Sequence, residues 1–407
     1  METTSLAASL VFYILASRLV MRRLGGGLRE TVMALLNLTS VFVFLFYNHN
    51  HGDYRLKFAI YVGIVIFQYV MLRAFSEARS WLHWLAFFSP IAALIAVRYV
   101  PGQIYLALGR SFGMNWHGIP NLIGISYLAF RCSRLVLEIR NGSVKKPGFL
   151  EYLNFAFFLP TMSLGPINTY ANFRRGFATA PWEAPVGRAA LRVLVGLVKY
   201  EFLGGVFSQL TYSAFLLNNH PHYWIDLPIA MAFYYLYLYC NFSGFCDLAI
   251  GAAALIGIPV PENFDNPFLA RNMKELWNRW HITLSQWMRD IVFAPLAKFL
   301  VGWFGPAQAN HAIALAVAVV FLLVGVWHGA GWNFVAYGAA QALGVVAVHY
   351  YTIFLKKRLG REGFKAYNEN SCIQVAAAAI TFCYFSASLI FFACTFDQIR
   401  QILAVLK

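Results

Sequence analysis

The chain has 407 residues, of which 60% are hydrophobic, 17% aromatic and only 12% charged, with a formal net charge of +15. Its mean hydropathy is +0.58. A soluble globular domain carries about 25% charged residues, so the composition excludes an ordinary soluble protein and places this chain in a membrane. The surplus positive charge is not a nucleic-acid footprint. The basic residues stand in short clusters beside apolar runs: Arg18, Arg22, Arg23 and Arg29, then Arg140, Lys145 and Lys146, then Lys356, Lys357, Arg358, Arg361 and Lys365. That distribution is the one expected of cytoplasmic loops, and nothing in it forms a nucleic-acid-reading motif.

A hydrocarbon core of about 30 Å needs about 20 helical residues to cross it. Apolar runs predict spans at 6–20, 31–47, 58–72, 81–100, 119–137, 152–164, 189–217, 227–239, 242–258, 311–327, 334–355 and 373–393. The expected fold is an all-α polytopic membrane protein, one integral domain over 1–407. About ten to twelve transmembrane helices are expected, with re-entrant or short helices where a run is too brief to cross. The first run is read as a retained helix, because Glu2 precedes it with no basic segment and no cleavage motif follows. The six cysteines, Cys132, Cys240, Cys246, Cys372, Cys383 and Cys394, show no paired spacing, so neither a disulfide frame nor a zinc site is indicated. Two histidine pairs, His49/His51 and His220/His222, lack further ligands and read as exposed loop residues rather than a metal site.

The region 259–295 breaks the apolar pattern. A Pro-rich entry segment, in which Asn263 and Asn266 are expected to fix the turn backbone, leads into a helix predicted from about Asn272. On that helix Trp277, His281, Leu284 and Met288 would share one face. The stretch Trp277-Asn278-Arg279-Trp280-His281, continued by Ser285, Trp287, Met288, Arg289 and Asp290, concentrates polar groups in a lipid-soluble chain. A second histidine follows in Val326-Trp327-His328-Gly329-Ala330-Gly331-Trp332. Ionisable groups at membrane depth are costly and usually mark a site. A neutral imidazole can take a proton from a hydroxyl. Gly325, Gly329 and Gly331 permit close approach of a helix or a substrate, and Trp327 and Trp332 are candidates to wall a passage. Arg279, Arg289 and Asp290 can form a structural ion pair, or Arg289 can meet a phosphate. Trp277, Trp280 and Trp287 read as interfacial anchors.

These motifs carry a resemblance. Glu262-Asn263-Phe264-Asp265-Asn266-Pro267-Phe268, the 277–290 stretch and the Trp327-His328-Gly329 motif 47 residues after His281 resemble the membrane-bound O-acyltransferase (MBOAT) family. The segments 160–167 and 241–245 agree in kind. The likeness extends over roughly 119–392 and is nearest to the bacterial branch that serves teichoic acid D-alanylation and alginate O-acetylation. Glu138 and Gln341 depart from the pattern. The resemblance implies a central tunnel and a cell-membrane enzyme moving a D-alanyl or acetyl group from a cytoplasmic thioester to hydroxyls of an extracytoplasmic polymer, such as teichoic acid or an exopolysaccharide. It implies His328 as general base, with His281, Asn278 or a backbone N–H supporting the oxyanion or the thioester. Arg279, Trp280, Ser285, Trp287, Arg289, Trp327 and Trp332 join them as candidate substrate contacts. No cofactor or metal is bound on this reading. The donor is a phosphopantetheine carrier protein or acyl-CoA, and the partners are an acyl carrier protein, or a downstream extracytoplasmic transferase, and membrane lipids. Three readings compete with it. One is a lipid or protein acyltransferase using acyl-CoA, and another is a polytopic transporter, although no inverted repeat is evident. The third is covalent catalysis through Ser243 or Cys240, although no nucleophile-elbow motif is present.

Overall fold

The computed structural model describes residues 3–47, 54–78, 81–100, 104, 122–179, 185–217 and 222–407. They are overwhelmingly helical. Among the described residues there is no β-strand, only two isolated bridges, His222 with Leu406 and Phe264 with Trp280. Among the described residues, six helical stretches are long and apolar enough to cross a membrane: Gly26–Tyr47, Tyr54–Phe75, Asp226–Ile256, Pro306–His328, Trp332–Glu369 and Ser371–Ala393. Their outward residues are apolar, with Phe67, Val70, Val375 and Ile380 all exposed. Such faces belong in lipid, where the backbone must satisfy its own hydrogen bonds as a helix does.

The chain divides into two compact units, Met1–Val195 with Phe245–Pro261, and Gly196–Gly244 with Glu262–Lys407. The first is built on α1 (Thr3–Arg23), α2 (Gly26–Val41), α3 (Tyr54–Phe75), α4 (His83–Tyr99), α5 (Ile125–Arg140) and α6 (Phe149–Ala156). Within it α4 packs on α3 and α5, and α2 on α6. A buried polar chain joins the elements. The Tyr13 hydroxyl donates to Asn37 Oδ1 at 2.7 Å, and Asn37 Nδ2 donates to Asn154 Oδ1 at 2.9 Å.

Several predicted boundaries move. The runs 227–239 and 242–258 are one helix, α7 (Asp226–Ile256). Gly244 on this helix makes room for a neighbour, since a Cβ there would lie 2.7 Å from Tyr200 N and 2.8 Å from Gly196 O. The run 189–217 is instead broken into Val186–Leu197, Gly204–Ser208 and two π-helical segments, Val198–Leu203 and Tyr212–Leu216. The third basic cluster is not a loop. It lies on the long helix Trp332–Glu369, which is interrupted at Gly360, where φ is 67°. His222 is buried, not exposed: its Nδ1 sits 3.3 Å from Asp226 Oδ2. His49, His51 and His220 lie outside the described residues.

The second unit continues with α8 (Met273–Arg279), α9 (Ile282–Trp287), α10 (Ala294–Phe304), α11 (Ala309–His328), α12 (Trp332–Glu369) and α13 (Ser371–Ser388). α11 and α12 form an antiparallel pair crossing at Gly325 and Gly338. A Cβ on Gly338 would lie 2.5 Å from Phe321 O, and one on Gly325 would overlap the Phe334 carbonyl.

Candidate active site

Every residue of the tryptophan-rich stretch, and the second histidine, belongs to this unit. Asn272 starts the stretch as an N-cap, its side chain accepting from Glu275 N at 2.9 Å, which satisfies one of the first-turn N–H groups left open in any helix. The single helix predicted from Asn272 does not form. α8 ends at Arg279, Trp280 is extended, and His281 is left-handed, with φ 45° and ψ 52°. The entry segment causes the break. It runs beside 279–282, so that Asp265 N donates to Arg279 O at 2.9 Å and Ile282 N donates to Asn263 O at 3.0 Å. Those bonds replace helical ones and turn the backbone. A non-glycine residue held there costs on the order of 1–3 kcal/mol, strain that tends to collect at functional sites. His281 therefore leaves the face expected to hold Trp277, Leu284 and Met288.

His281 is buried. Its Nδ1 lies 3.1 Å from Asn263 Oδ1, and that oxygen also accepts from Thr283 N at 3.1 Å and Thr283 Oγ1 at 2.9 Å. The Phe242 ring meets the imidazole edge-to-face at 4.8 Å. His281 lies outside the six apolar spans. Burial, and then the field of His328, pushes its pKa down to about 3, which keeps the ring neutral.

His328 is the last residue of α11, half-buried among Trp327, Tyr337 and Phe392, with ring centroids 4.4, 5.8 and 4.9 Å away. The Trp327 indole also lies 6.5 Å from the His281 ring, so one indole contacts both imidazoles. The glycines of this motif serve helix packing: a Cβ on Gly329 would overlap the Phe334 ring. Trp332 is 78% exposed and does not line the cavity against α8, α9, α11 and α12.

A cavity of about 350 Å³ lies against α8, α9, α11 and α12. Its interior is apolar, with Trp277, Leu284, Met288, Val320 and Phe321, and Lys274, Asn278, Ser285 and Arg289 add polar groups. Arg289 donates to Asn278 Oδ1 at 3.3 Å. Thus Asn278, Ser285 and Arg289 come together, while neither histidine lines this space. Arg279 is engaged elsewhere: it pairs with Glu275 at 2.9 Å and Asp265 at 3.7 Å. Despite the upward pull of burial, hydrogen bonds from the Arg271 N–H and the Arg279 side chain hold Glu275 below its usual range.

The three tryptophans are not interfacial anchors. Trp277, Trp280 and Trp287 are all buried, and Trp277 and Trp280 pack with Tyr235 and Phe385 in one apolar cluster. The sequence did not single out Tyr337, Phe392 or Lys274, offered Phe242 only within the 241–245 segment, and gave Asn263 a turn role within the 262–268 motif. The aromatic residues carry no local signal that separates them from other residues of apolar helices. No group of three or more potential metal ligands occurs among the described residues.

The described residues form a helical, multi-pass membrane protein in which two imidazoles meet one indole. Residues 116–392 match the MBOAT, membrane-bound O-acyltransferase family, and the chain belongs to it. It is an O-acyltransferase. The chain is 28% identical over 361 residues to the teichoic acid D-alanyltransferase of Streptococcus thermophilus, covering 84% of this chain and 83% of the relative. It is 31% identical over 274 residues to the Bacillus subtilis teichoic acid D-alanyltransferase, covering 65% and 67%. A probable alginate O-acetylase of Pseudomonas fluorescens is 26% identical over 328 residues, 74% of this chain and 63% of that protein.

Proposed function

We propose that this enzyme transfers an acyl group, D-alanyl or acetyl, from a thioester donor to hydroxyls of an extracytoplasmic envelope polymer, with teichoic acid the first candidate acceptor. The observation that carries the reading is the juxtaposition of His281 and His328 about Trp327. His328 acts as general base. As the acceptor oxygen attacks the thioester carbonyl, its proton passes to the imidazole. The tetrahedral oxyanion then collapses, the C–S bond breaks, and the imidazolium returns the proton to the departing thiolate. A developing oxyanion needs a preorganised hydrogen-bond donor, a role suited to Asn278 or a backbone N–H. His281 orients the reacting groups.

The apolar cavity suits the pantetheine arm of a carrier protein or of coenzyme A, with Arg289 directed at its phosphate. The donor comes from the cytoplasmic face of the cell membrane, and a downstream extracytoplasmic transferase or an acyl carrier protein is the partner. Mass spectrometry of envelope polymers tests this in cells whose own copy is deleted and replaced by His328→Ala. Ester content should fall by about 10²–10⁴-fold, the range for losing a general base, with membrane insertion intact. Unchanged D-alanyl and acetyl ester content would overturn the assignment.

A further inference from the structure

We infer that Asn263 is a positioning residue that holds His281 as the tautomer carrying hydrogen on Nδ1, so that His281 meets substrate through the lone pair of Nε2. The inference rests on the reading of His281 as part of the acyl-transfer site. Its warrant is a donor–acceptor count. An amide side chain is ordinarily ambiguous, since its oxygen and nitrogen look alike and are assigned from their partners. Here the partner removes the ambiguity. The atom facing His281 also receives the backbone N–H of Thr283 at 3.1 Å, and a backbone N–H only donates. That atom is therefore the oxygen. The Thr283 hydroxyl donates to it as well, at 2.9 Å.

An amide oxygen cannot donate, so the 3.1 Å contact to His281 Nδ1 is a bond from an Nδ1–H. A neutral imidazole has one N–H, which leaves Nε2 as the acceptor. The backbone joins the same clamp: Asn263 O accepts from Ile282 N at 3.0 Å, and Asn263 is itself buried. One residue thus holds 281, 282 and 283 together. Neutral His281 can accept a hydroxyl or amide hydrogen from the substrate, and it has no hydrogen on Nε2 to give an oxyanion.

The test is ¹⁵N NMR of the full-length protein in nanodiscs with ¹⁵N-labelled histidine, His281 being identified by the signals lost in His281→Gln. The wild type should show a protonated Nδ1 and a bare Nε2 for His281. Asn263→Leu should lose that pattern, and envelope ester content should fall by about 10–100-fold, the scale known for removing the partner that orients a metal-bound histidine. Asn263→Asp keeps an acceptor at the same place and should restore both. Thr283→Val removes one bond to Asn263 without touching His281, so it should lower thermal stability yet leave the tautomer unchanged. If Asn263→Leu does not fold, the wild-type and Asn263→Asp spectra carry the test. Hydrogen on Nε2 in the wild type, an unaltered tautomer in folded Asn263→Leu, or a failure of Asn263→Asp to show protonated Nδ1 would overturn the inference. The spectra need no substrate, so an unchanged His328→Ala would remove the proposed function and leave the tautomer result standing.

Discussion

Two buried asparagines, one in each unit, use their amides differently. Asn154 in the first unit accepts from Asn37, and its Nδ2 donates to Glu30 O at 2.8 Å and to Leu150 O at 2.9 Å. Both of its polar atoms end on fixed protein groups. Nearby Arg131, also buried, donates to Thr161 and to Ala156 O beneath the face of Phe155. These bonds end on fixed protein groups, and their product is a joined set of helices. Asn263 in the second unit also collects several bonds, but one of them ends on an imidazole with a second nitrogen. Burial of a polar residue in an apolar chain therefore does not by itself identify a site. The discriminating feature is whether the network terminates in a group that can still exchange a proton.

The largest effect that separates the two networks is expected from Asn154→Leu. It leaves Asn37 Nδ2 without its acceptor, at about 1–3 kcal/mol for a buried group left unmade, and removes the side-chain tie to the Glu30 carbonyl of α2. Folded yield in detergent should collapse while transfer per folded molecule holds. A variant that folds normally and loses transfer would erase the distinction between the units.

Gly325→Ala is expected to cost about 1–3 kcal/mol by overpacking the crossing of α11 and α12. It should also lower ester content although both histidines remain, because His328 ends the displaced helix. Full transfer in that variant would show that the crossing does not position the motif.

The acid response sharpens the comparison further. With a folded-state pKa of about 3 and an ordinary value near 6.5, His281 binds a proton in the unfolded chain before it does so in the folded one. Stability is then lost as pH falls below about 6.5, with a limiting slope near 1.4 kcal/mol per pH unit. Glu275 adds to this at lower pH: its depressed pKa means its stabilisation is present above its unfolded value and disappears as pH falls through the folded one. Thermal melts from pH 7 to 4.5 should decline in the wild type and flatten in His281→Gln. An equal decline in both would show that His281 is not the buried neutral group.

The smallest effect belongs to Trp332→Ala. Its side chain lies in the open, and the melting free energy should change by no more than about 0.5 kcal/mol. A larger loss would place the indole in a contact that the fold of this unit does not contain.

The membrane class and the helical content were legible in the sequence because each rests on local quantities: transfer cost residue by residue and runs of apolar character. The merger of two predicted spans into α7 was not legible, since Cys240 and Asn241 interrupt the apolar run locally yet stay helical in the fold. Nor was the break at His281. Residues 272–288 have good helical periodicity, and only the entry segment, through Asp265 and Asn263, draws Trp280 and His281 out of it.

What the sequence by itself determined is a polytopic helical enzyme of the O-acyltransferase family, with His281 and His328 as its notable ionisable residues. The tertiary structure alone decided which nitrogen of His281 faces Asn263, that Arg279 is held by Glu275 and Asp265, and that Arg289 reaches the cavity. The physical reason is distance along the chain. Asn263 meets His281 across 18 residues, and hydrogen-bond direction depends on which donors converge on one oxygen, a property no local pattern encodes.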